Sequence, residues 1–257
     1  MYYSNIPTGD FNTLVAKGIY IKDSYADSMK MQITKSTLGA KKYLYSDLGY
    51  YFIKEIIEKQ NGLSLEQLLE REIYAKMGLY HTGFNPYLKW NVEGIAPTED
   101  DRIYRKQLVR GYVHDPGAAM IGGVGGHAGL FSNATELATL FQMILNGGDY
   151  AGVRYLDKRV VNNYTKAQYA GNRRGAGFDK PVLGTGGGTC HELASQQSFG
   201  HSGFTGTLVW SDPANGLTYV FLSNRVYPDA ENKKLITMGQ RTEVQRVLYE
   251  ALKESKK

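Results

Sequence analysis

The chain has 257 residues, 42% of them hydrophobic, and its 30 basic against 25 acidic side chains give a formal charge of +5. This composition supports one sizeable core, and the basic residues are spread along the chain instead of forming a nucleic-acid-binding stripe. Cys190 has no partner for an intrachain disulfide. The spread of the basic residues argues against a nucleic-acid partner. The first ten residues lack the regions of a signal peptide, and no stretch of the sequence predicts a transmembrane segment.

The first strong pattern is a pair of helices after residue 46. Apolar residues recur at helical spacing from Asp47 to Gln60, and Asn61-Gly62 predicts the end of that helix. Ser64 and Gln67 have the spacing of a capping box, which predicts a second helix that ends at Gly78.

The rest of the chain changes from helices to strands. Residues 83–111 carry turn residues and charges, residues 117–129 are glycine-rich, and residues 169–198 read as irregular. Four further elements are predicted: helices at Ser132–Leu145 and Thr242–Leu252, and strands at Thr205–Trp210 and Leu217–Leu222 joined by a hairpin turn at residues 212–216. Helices followed by strands and a closing helix indicate an α+β layer fold.

Three co-ordered motifs resemble those of a known family. They are Tyr45-Ser46-Asp47-Leu48-Gly49-Tyr50, the run from His114-Asp115 to Gly126-His127-Ala128-Gly129-Leu130-Phe131-Ser132, and Phe199-Gly200-His201-Ser202-Gly203-Phe204-Thr205-Gly206. Together they resemble the serine β-lactamase-related family of class C β-lactamases, esterases and low-molecular-weight penicillin-binding proteins. The similarity extends from about Tyr43 to the closing helix, and is closest to the module fused to glycoside hydrolases in cell-envelope proteins.

The resemblance implies a role for each motif residue. Tyr45 takes the position of the base-like tyrosine near the nucleophile, and His201 takes the basic position of the third motif. The backbone N–H of Phe204, just after Gly203, corresponds to an oxyanion donor, and Ser202 belongs to the same substrate-facing run. Asp47 replaces the commoner Asn, and its negative charge favours ester or peptide substrates over a carboxylate-bearing β-lactam.

The nucleophile motif of the family is missing. No Ser-x-x-Lys occurs between Met1 and Lys257. The resemblance therefore implies a partial β-lactamase-like domain at 1–257, with a helical region at about 43–200 and the sheet and closing helix at about 201–257. The N-terminal strands and the nucleophile helix of the family are expected to be absent from it. We expect no covalent acyl transfer by this chain alone, and an open edge at the strand Thr205–Trp210 or one of its neighbours.

Other interpretations of the same residues exist. Tyr45 is one of 20 tyrosines and Asp47 precedes a helix as an N-cap would, while His201 alone would be a strand-end histidine. His114, Asp115 and His127 are residue types that bind zinc, but hydrogen bonding within the loop is the stronger interpretation.

Two functions follow from these expectations. The first is a serine hydrolase module for ester, amide or peptidoglycan-like substrates, with its serine and lysine on a segment outside this sequence. The second is a non-catalytic module that binds cell-wall ligands or a partner domain. The resemblance implies no cofactor and no metal, a small-molecule or cell-wall-derived substrate, and a periplasmic or cell-envelope location. It also implies association with an upstream segment or a second copy through the open sheet edge.

Overall fold

The computed structural model describes residues 3–182 and 188–255. The chain forms two compact units, Met1–Phe131 and Ser132–Lys257. Residues 183–187, within the segment that the sequence predicts to be irregular, lie outside the described residues. In the part of the chain that is described, no helix combines the length and the apolar character needed to cross a bilayer.

The first unit contains both helices and short antiparallel strands. Its helices are α1 Ser24–Lys35, α2 Leu48–Asn61, α3 Leu65–Leu69, α4 Ala75–Met77 and α5 Pro116–Met120, with a π-helical turn at Glu70–Tyr74 and 3₁₀ turns at Pro86–Leu88 and Val92–Gly94. Its strands are β1 Tyr3–Ser4, β2 Phe11–Ala16, β3 Ile19–Lys22, β4 Pro97–Asp101 and β5 Gln107–Arg110.

The sheet β1-β3-β2 is not among the elements predicted from the sequence. Register shifts interrupt the β2–β3 ladder at two places, so the alternation of apolar and polar residues is broken. Val15 and Ile21 nevertheless point into a core that they share with Ala118 and Ala119 of α5. This packing connects the N-terminal sheet to the helix that follows Asp115.

The two helices predicted after residue 46 are confirmed. Helix α2 ends at Gly62, whose φ of 65° is the left-handed conformation that favours glycine at a helix end. The Ser64 hydroxyl accepts from the Gln67 N–H at 3.4 Å, and the Gln67 side chain accepts from the Ser64 N–H at 3.2 Å. The periodicity did not, however, predict how much of α2 is exposed, since Tyr51 is its one buried residue.

Strands β4 and β5 were not predicted from the sequence, because a buried charged residue and its polar partners form the interior of their hairpin. The fully buried Arg105 side chain donates to Asp101 at 2.8 Å and to the carbonyls of Val113 and His114 at 2.6 and 3.0 Å, and it also pairs with Glu99. A buried guanidinium requires such partners, because leaving its charge unpaired inside the protein would cost several kcal/mol. The polar residues that read as a loop in the sequence therefore form the interior of this hairpin.

The second unit contains a three-stranded antiparallel sheet and its helices. Its elements are α6 Ala134–Leu145, β6 Asp149–Tyr150, β7 Val153–Arg154, α7 Lys158–Thr165, β8 Phe199–Ser202, β9 Leu208–Asp212, β10 Leu217–Phe221, α8 Lys234–Thr237 and α9 Gln240–Glu254. The strand order is β10-β9-β8, so β9 is central, and α6 packs against β9 and β10.

The helices and the hairpin predicted for this unit are confirmed, with one boundary corrected. The strand predicted from Thr205 begins at Leu208. The Gly203 N–H donates to the Thr207 carbonyl at 2.8 Å, and this bond closes a turn that occupies the predicted start of the strand. Gly206 has φ 109° in that turn, a conformation that L-residues rarely adopt.

A buried carboxylate joins several segments of the second unit. Asp212 has no exposed surface and accepts hydrogen bonds from the Ser195 N–H and hydroxyl at 2.9 and 2.5 Å. It also accepts from the Ala214 N–H, the Asn215 amide and the Tyr249 hydroxyl at 3.1, 2.9 and 2.8 Å. Tyr249 lies on α9 and packs in the same core as Trp210. The loop, the hairpin turn and the closing helix therefore meet at one side chain.

Candidate functional site

The second motif lies at the start of α2 in the first unit. Tyr45 is 54% exposed, and the Ser46 hydroxyl accepts from the Leu48 N–H at 3.2 Å. Asp47 precedes the helix, but its side chain makes no capping hydrogen bond. Asp47 thus occupies the N-cap position, as one interpretation predicted, but Ser46 and not the Asp47 carboxylate provides the side-chain hydrogen bond at this end of α2.

The glycine-rich loop lies against the beginning of the same helix. A Cβ on Gly126 would be 2.5 Å from the Tyr50 carbonyl oxygen, so only glycine fits at this approach. The rings of Tyr51 and His127 are 4.5 Å apart between centroids. The first unit thus brings together the Tyr45 run and the His127 run, which the sequence had connected only as motifs.

Asp115 and His127 form a hydrogen-bonded pair at the base of this loop. The Asp115 carboxylate accepts from the Ala118 N–H at 2.7 Å and lies 3.1 Å from Nε2 of His127, whose side chain is 3% exposed. Burial alone would raise the pKa of Asp115, but the hydrogen bonds to His127 and Ala118 outweigh it and leave the pKa below its usual value. Burial, with Asp115 and Asp47 nearby, raises the pKa of Tyr51 to about 12. Asp115 therefore caps α5 and anchors the loop.

The histidines of this region are engaged in separate contacts. His114 Nε2 lies 3.5 Å from Glu99, whereas His127 faces Asp115. Among residues 3–182 and 188–255, no group of three or more His, Cys, Asp or Glu side chains is arranged to hold a metal ion. The contacts of His114 and His127 with carboxylates are those expected when hydrogen bonds hold a loop together.

The third motif lies at the end of β8 in the second unit. His201 pairs with Val209 across the sheet, Ser202 pairs with Leu208, and Gly203 opens the turn that leads to β9. Phe204 is 67% exposed at the tip of this turn. His201, Ser202, Gly203 and Phe204 are consecutive on one edge and turn, and the role of the Phe204 N–H as oxyanion donor stays a prediction.

Two arginines hold the carbonyls of that turn. Arg225 Nε donates to the Phe204 carbonyl at 2.8 Å, and its guanidinium lies 4.4 Å from the Phe204 ring centroid. Arg241 Nη1 donates to the carbonyls of Gly203 and Thr207 at 3.4 and 3.1 Å. Burial and then the charge of Arg225 lower the pKa of Arg241. Neither arginine was singled out in the sequence, because both lie on later segments without a motif of their own.

A second group that the sequence missed lies beside His201. Arg174 Nη1 is 3.1 Å from Nε2 of His201, and Arg174 forms an ion pair with the buried Asp179. Both residues belong to the segment that reads as irregular, which contains no pattern that would predict this contact.

The site residues thus fall in two groups. Tyr45 and Asp47 belong to the first unit, and His201, Ser202, Gly203 and Phe204 belong to the second. Their convergence on one cleft stays a prediction.

Comparisons with known proteins agree with the motifs. A D-amino acid amidase from Ochrobactrum anthropi SV3 superposes with a TM-score of 0.57 at 17% identity, over 84% of this chain and 59% of that one. A penicillin-binding protein homologue from Caulobacter crescentus superposes with a TM-score of 0.55 at 18% identity, over 84% of this chain and 61% of that one. These similarities show a β-lactamase-like and penicillin-binding-protein-like α+β fold.

Relatives found by sequence have a higher identity to this chain than these structures do. A protein of Escherichia coli K12 named "Putative D-alanyl-D-alanine carboxypeptidase" is 36% identical over 240 residues, which are 87% of this chain and 55% of that protein. The protein of the same name from Salmonella typhi is 37% identical over 228 residues, or 82% of this chain and 53% of that protein. This chain therefore spans about half the length of the curated relatives it matches.

The sequence model of the family named Beta-lactamase matches residues 4–239. The match begins well before Tyr43, where the motif-based similarity was expected to start, and so it includes the strands β2 and β3. On the extent of this match and the identity to its relatives, the chain belongs to the beta-lactamase family.

Proposed function

We propose that this chain carries the second and third motifs of a serine hydrolase that cleaves amide bonds in peptidoglycan-like substrates through an acyl-enzyme. The observation that carries the proposal is the third motif, where β8 ends at His201 and Ser202 and a glycine turn exposes Phe204. Gly203 and Gly206 carry no side chain that would keep an acyl group from the backbone at this strand end, as an oxyanion donor requires.

Each group has a place in the proposed reaction. The Tyr45 hydroxyl oxygen would take the proton of an attacking serine while its own proton passes to the neutral amine of the family's lysine, and the Phe204 N–H would donate to the oxyanion of the tetrahedral intermediate. The serine and its lysine would come from a segment outside this sequence, since no Ser-x-x-Lys occurs in it. The names of the E. coli relative and of the amidase both describe amide bonds of D-amino acids, which supports an amide over an ester substrate.

A chimeric enzyme tests this function. In the chimera, this chain replaces the matching region of the E. coli relative, whose remaining sequence supplies the other part of the fold. We expect a fluorescent fluorophosphonate, which carries no carboxylate, to label the chimera covalently, and we expect release of D-alanine from an N-acylated peptide that ends in D-Ala-D-Ala. Tyr45→Phe should lower the labelling rate by about 100-fold or more, because a positioned proton-transfer group contributes about 10²–10⁴-fold.

The controls separate chemistry from folding. Tyr43→Phe changes an exposed tyrosine two residues away, and it should leave the rate within about twofold. The chain alone should show no covalent adduct by mass spectrometry, and stoichiometric labelling of Ser46 or Ser202 would contradict the absence of a nucleophile. A folded chimera that binds the peptide saturably but is never acylated would favour the non-catalytic binding module instead.

We also propose that the open edge of the second sheet is an association surface. In the described residues, β9 has a neighbour on each side, and β8 is bridged at Gly200 by Asp179, whereas β10 pairs only with β9. The expected edge is therefore β10 and not the strand that begins the hairpin. Unpaired strand edges associate with other strands unless a charge or another segment blocks them.

Light scattering over a dilution series measures this association. We expect the mass of the particles to rise with concentration, and Leu222→Lys, next to β10, to weaken that dependence because an edge lysine opposes strand pairing. Leu88→Lys, at a 72% exposed site in the first unit, is the matched control and should have no effect. A monomer at every concentration would contradict the role proposed for β10.

A further inference from the structure

A line of side chains leads from the interior of the second unit to the third motif. Asp179 is 2% exposed, and its Oδ2 accepts from Arg173 Nη1 at 2.7 Å and from the Thr189 hydroxyl at 2.6 Å. Its Oδ1 pairs with Arg174, whose Nη1 lies 3.1 Å from Nε2 of His201. A buried carboxylate thus fixes an arginine against the histidine of the motif.

The backbone fixes both ends of this contact. The Asp179 N–H donates to the Gly200 carbonyl at 2.7 Å, and the Gly200 N–H donates back at 3.2 Å, so Asp179 is bridged to β8 one residue before His201. The Gly175 N–H donates to the Phe178 carbonyl at 2.8 Å, which folds the intervening chain into a tight turn. Arg174 therefore approaches His201 from a segment that is bonded to the same strand.

Two contacts of the His201 ring, to Arg174 and to the Ser202 carbonyl, determine where its proton lies. A guanidinium has only donors, so Nε2 must accept from Arg174 and cannot carry a hydrogen. The Ser202 carbonyl has only an acceptor, and it lies 2.9 Å from Nδ1, so Nδ1 must carry the hydrogen. His201 is then a neutral ring protonated on Nδ1.

We propose that Arg174 is the positioning residue of the third motif: it holds His201 in the Nδ1–H form and supplies the fixed positive charge beside the end of β8. This inference rests on the proposed function, because it assigns a charge to that same site. A guanidinium keeps its proton throughout the range in which a histidine changes charge. Arg173 and Arg174 share the single carboxylate of Asp179, so a net positive charge remains beside the end of β8 between about pH 5 and 8, which a histidine alone would not guarantee.

Nuclear magnetic resonance of histidine-labelled protein tests the proposal without any enzymatic turnover. The chain has five histidines, and the His201 signals are identified by their loss in His201→Asn. We expect the nitrogen shifts of wild-type His201 to show one neutral form protonated on Nδ1. Arg174→Met should convert this form into a mixture of tautomers, while Arg174→Lys, which keeps a donor-only cation, should restore it. Arg173→Met is the matched control, because Arg173 contacts Asp179 and Thr189, and it should leave the ring unchanged.

Three results would overturn the proposal. They are a wild-type ring protonated on Nε2, an unchanged ring in a folded Arg174→Met protein, and an Arg174→Lys protein that behaves like Arg174→Met. If Arg174→Met loses the dispersed spectrum of a folded protein, the wild-type and Arg174→Lys spectra decide, and an Nε2–H ring in either one contradicts it. Because these spectra need no acylation, a chimera that fails to react leaves this result standing, and the failures of the two proposals are distinguishable.

Discussion

The two motif regions differ in how the chain holds them. In the first unit, residues 43–46 are exposed and the following helix α2 leaves Leu48, Ile53 and Ile56 between 46% and 53% exposed. In the second unit, every residue of β9 is buried, and the turn after His201 is tied by Arg225 and Arg241. The third motif is thus fixed by the core of its own unit, whereas the second motif depends on the start of one helix and a glycine loop.

The largest expected effect is a loss of stability in the second unit that has no counterpart in the first. Asp212→Asn replaces one carboxylate oxygen by an amide that faces hydrogen-bond donors, and we expect it to lower the free energy of unfolding by about 3–5 kcal/mol. Burial alone would raise the pKa of Asp212, but the hydrogen bonds from Ser195, Asn215 and Tyr249 outweigh this, so the folded protein prefers the charged form.

Asp47→Asn is the matched control in the first unit. It should change stability by no more than about 0.5 kcal/mol, because the Asp47 carboxylate makes no capping hydrogen bond. Urea unfolding of both variants provides the measurement. Equal losses in the two variants would contradict the difference drawn between the motif regions.

A buried lysine gives the second unit a distinctive response to alkaline pH. Lys180 is 6% exposed and donates to the Gln197 carbonyl at 2.9 Å, and burial lowers its pKa to about 8. The unfolded chain, with the ordinary value of 10.5, binds more protons between these two pKa values, so stability rises as the pH increases through this range.

Comparison with Lys180→Met isolates this contribution. From pH 7 to 10, the free energy of unfolding of the wild-type protein should rise relative to that of the variant by roughly 2–3 kcal/mol, at about 1.4 kcal/mol for each pKa unit. Parallel pH profiles for the two proteins would show that Lys180 keeps its ordinary pKa in the folded state.

The smallest effect is expected in the first unit at acidic pH. Because the pKa of Asp115 is lowered on folding, its contribution to stability is present above the unfolded value and is lost as the pH falls through the folded value. Asp115→Asn should therefore cost about 1 kcal/mol at pH 6, as for a lost helix cap, and this difference should shrink below about pH 4. Denaturant unfolding from pH 6 to 3 measures it, with Asp27→Asn on the exposed face of α1 as control. A difference that persists at pH 3 would exclude Asp115 as the titrating group.

The sequence predicted the elements whose signals are local. Helix α2, the capping box at Ser64 and the hairpin turn at 212–216 each depend on residues within a few positions of one another. The N-terminal sheet escaped prediction because its ladder is irregular, and β4–β5 because Arg105 occupies an interior position where an apolar residue is expected.

Less of the candidate site than of the fold was predicted from the sequence. Tyr45 and His201 were found through resemblance, and their meeting in one cleft stays a prediction. The Arg174 contact to His201 had no signal, since 27 positions separate the two residues and a single side-chain hydrogen bond leaves no periodic pattern. Contacts of this kind are fixed by the fold and become visible only when the backbone places the two segments side by side.

The donors that converge on Asp212 also determine how the second unit opens. They come from a loop, a hairpin turn and the closing helix, so none of these segments can detach alone without leaving a charged oxygen with unmade hydrogen bonds in an apolar interior. Fraying at any one of them is therefore coupled to the others, and amide hydrogens in β9 and α9 should exchange through one shared opening. The strand end that presents His201 then belongs to a single cooperative folding unit, in which the order of the motif persists until the whole unit unfolds.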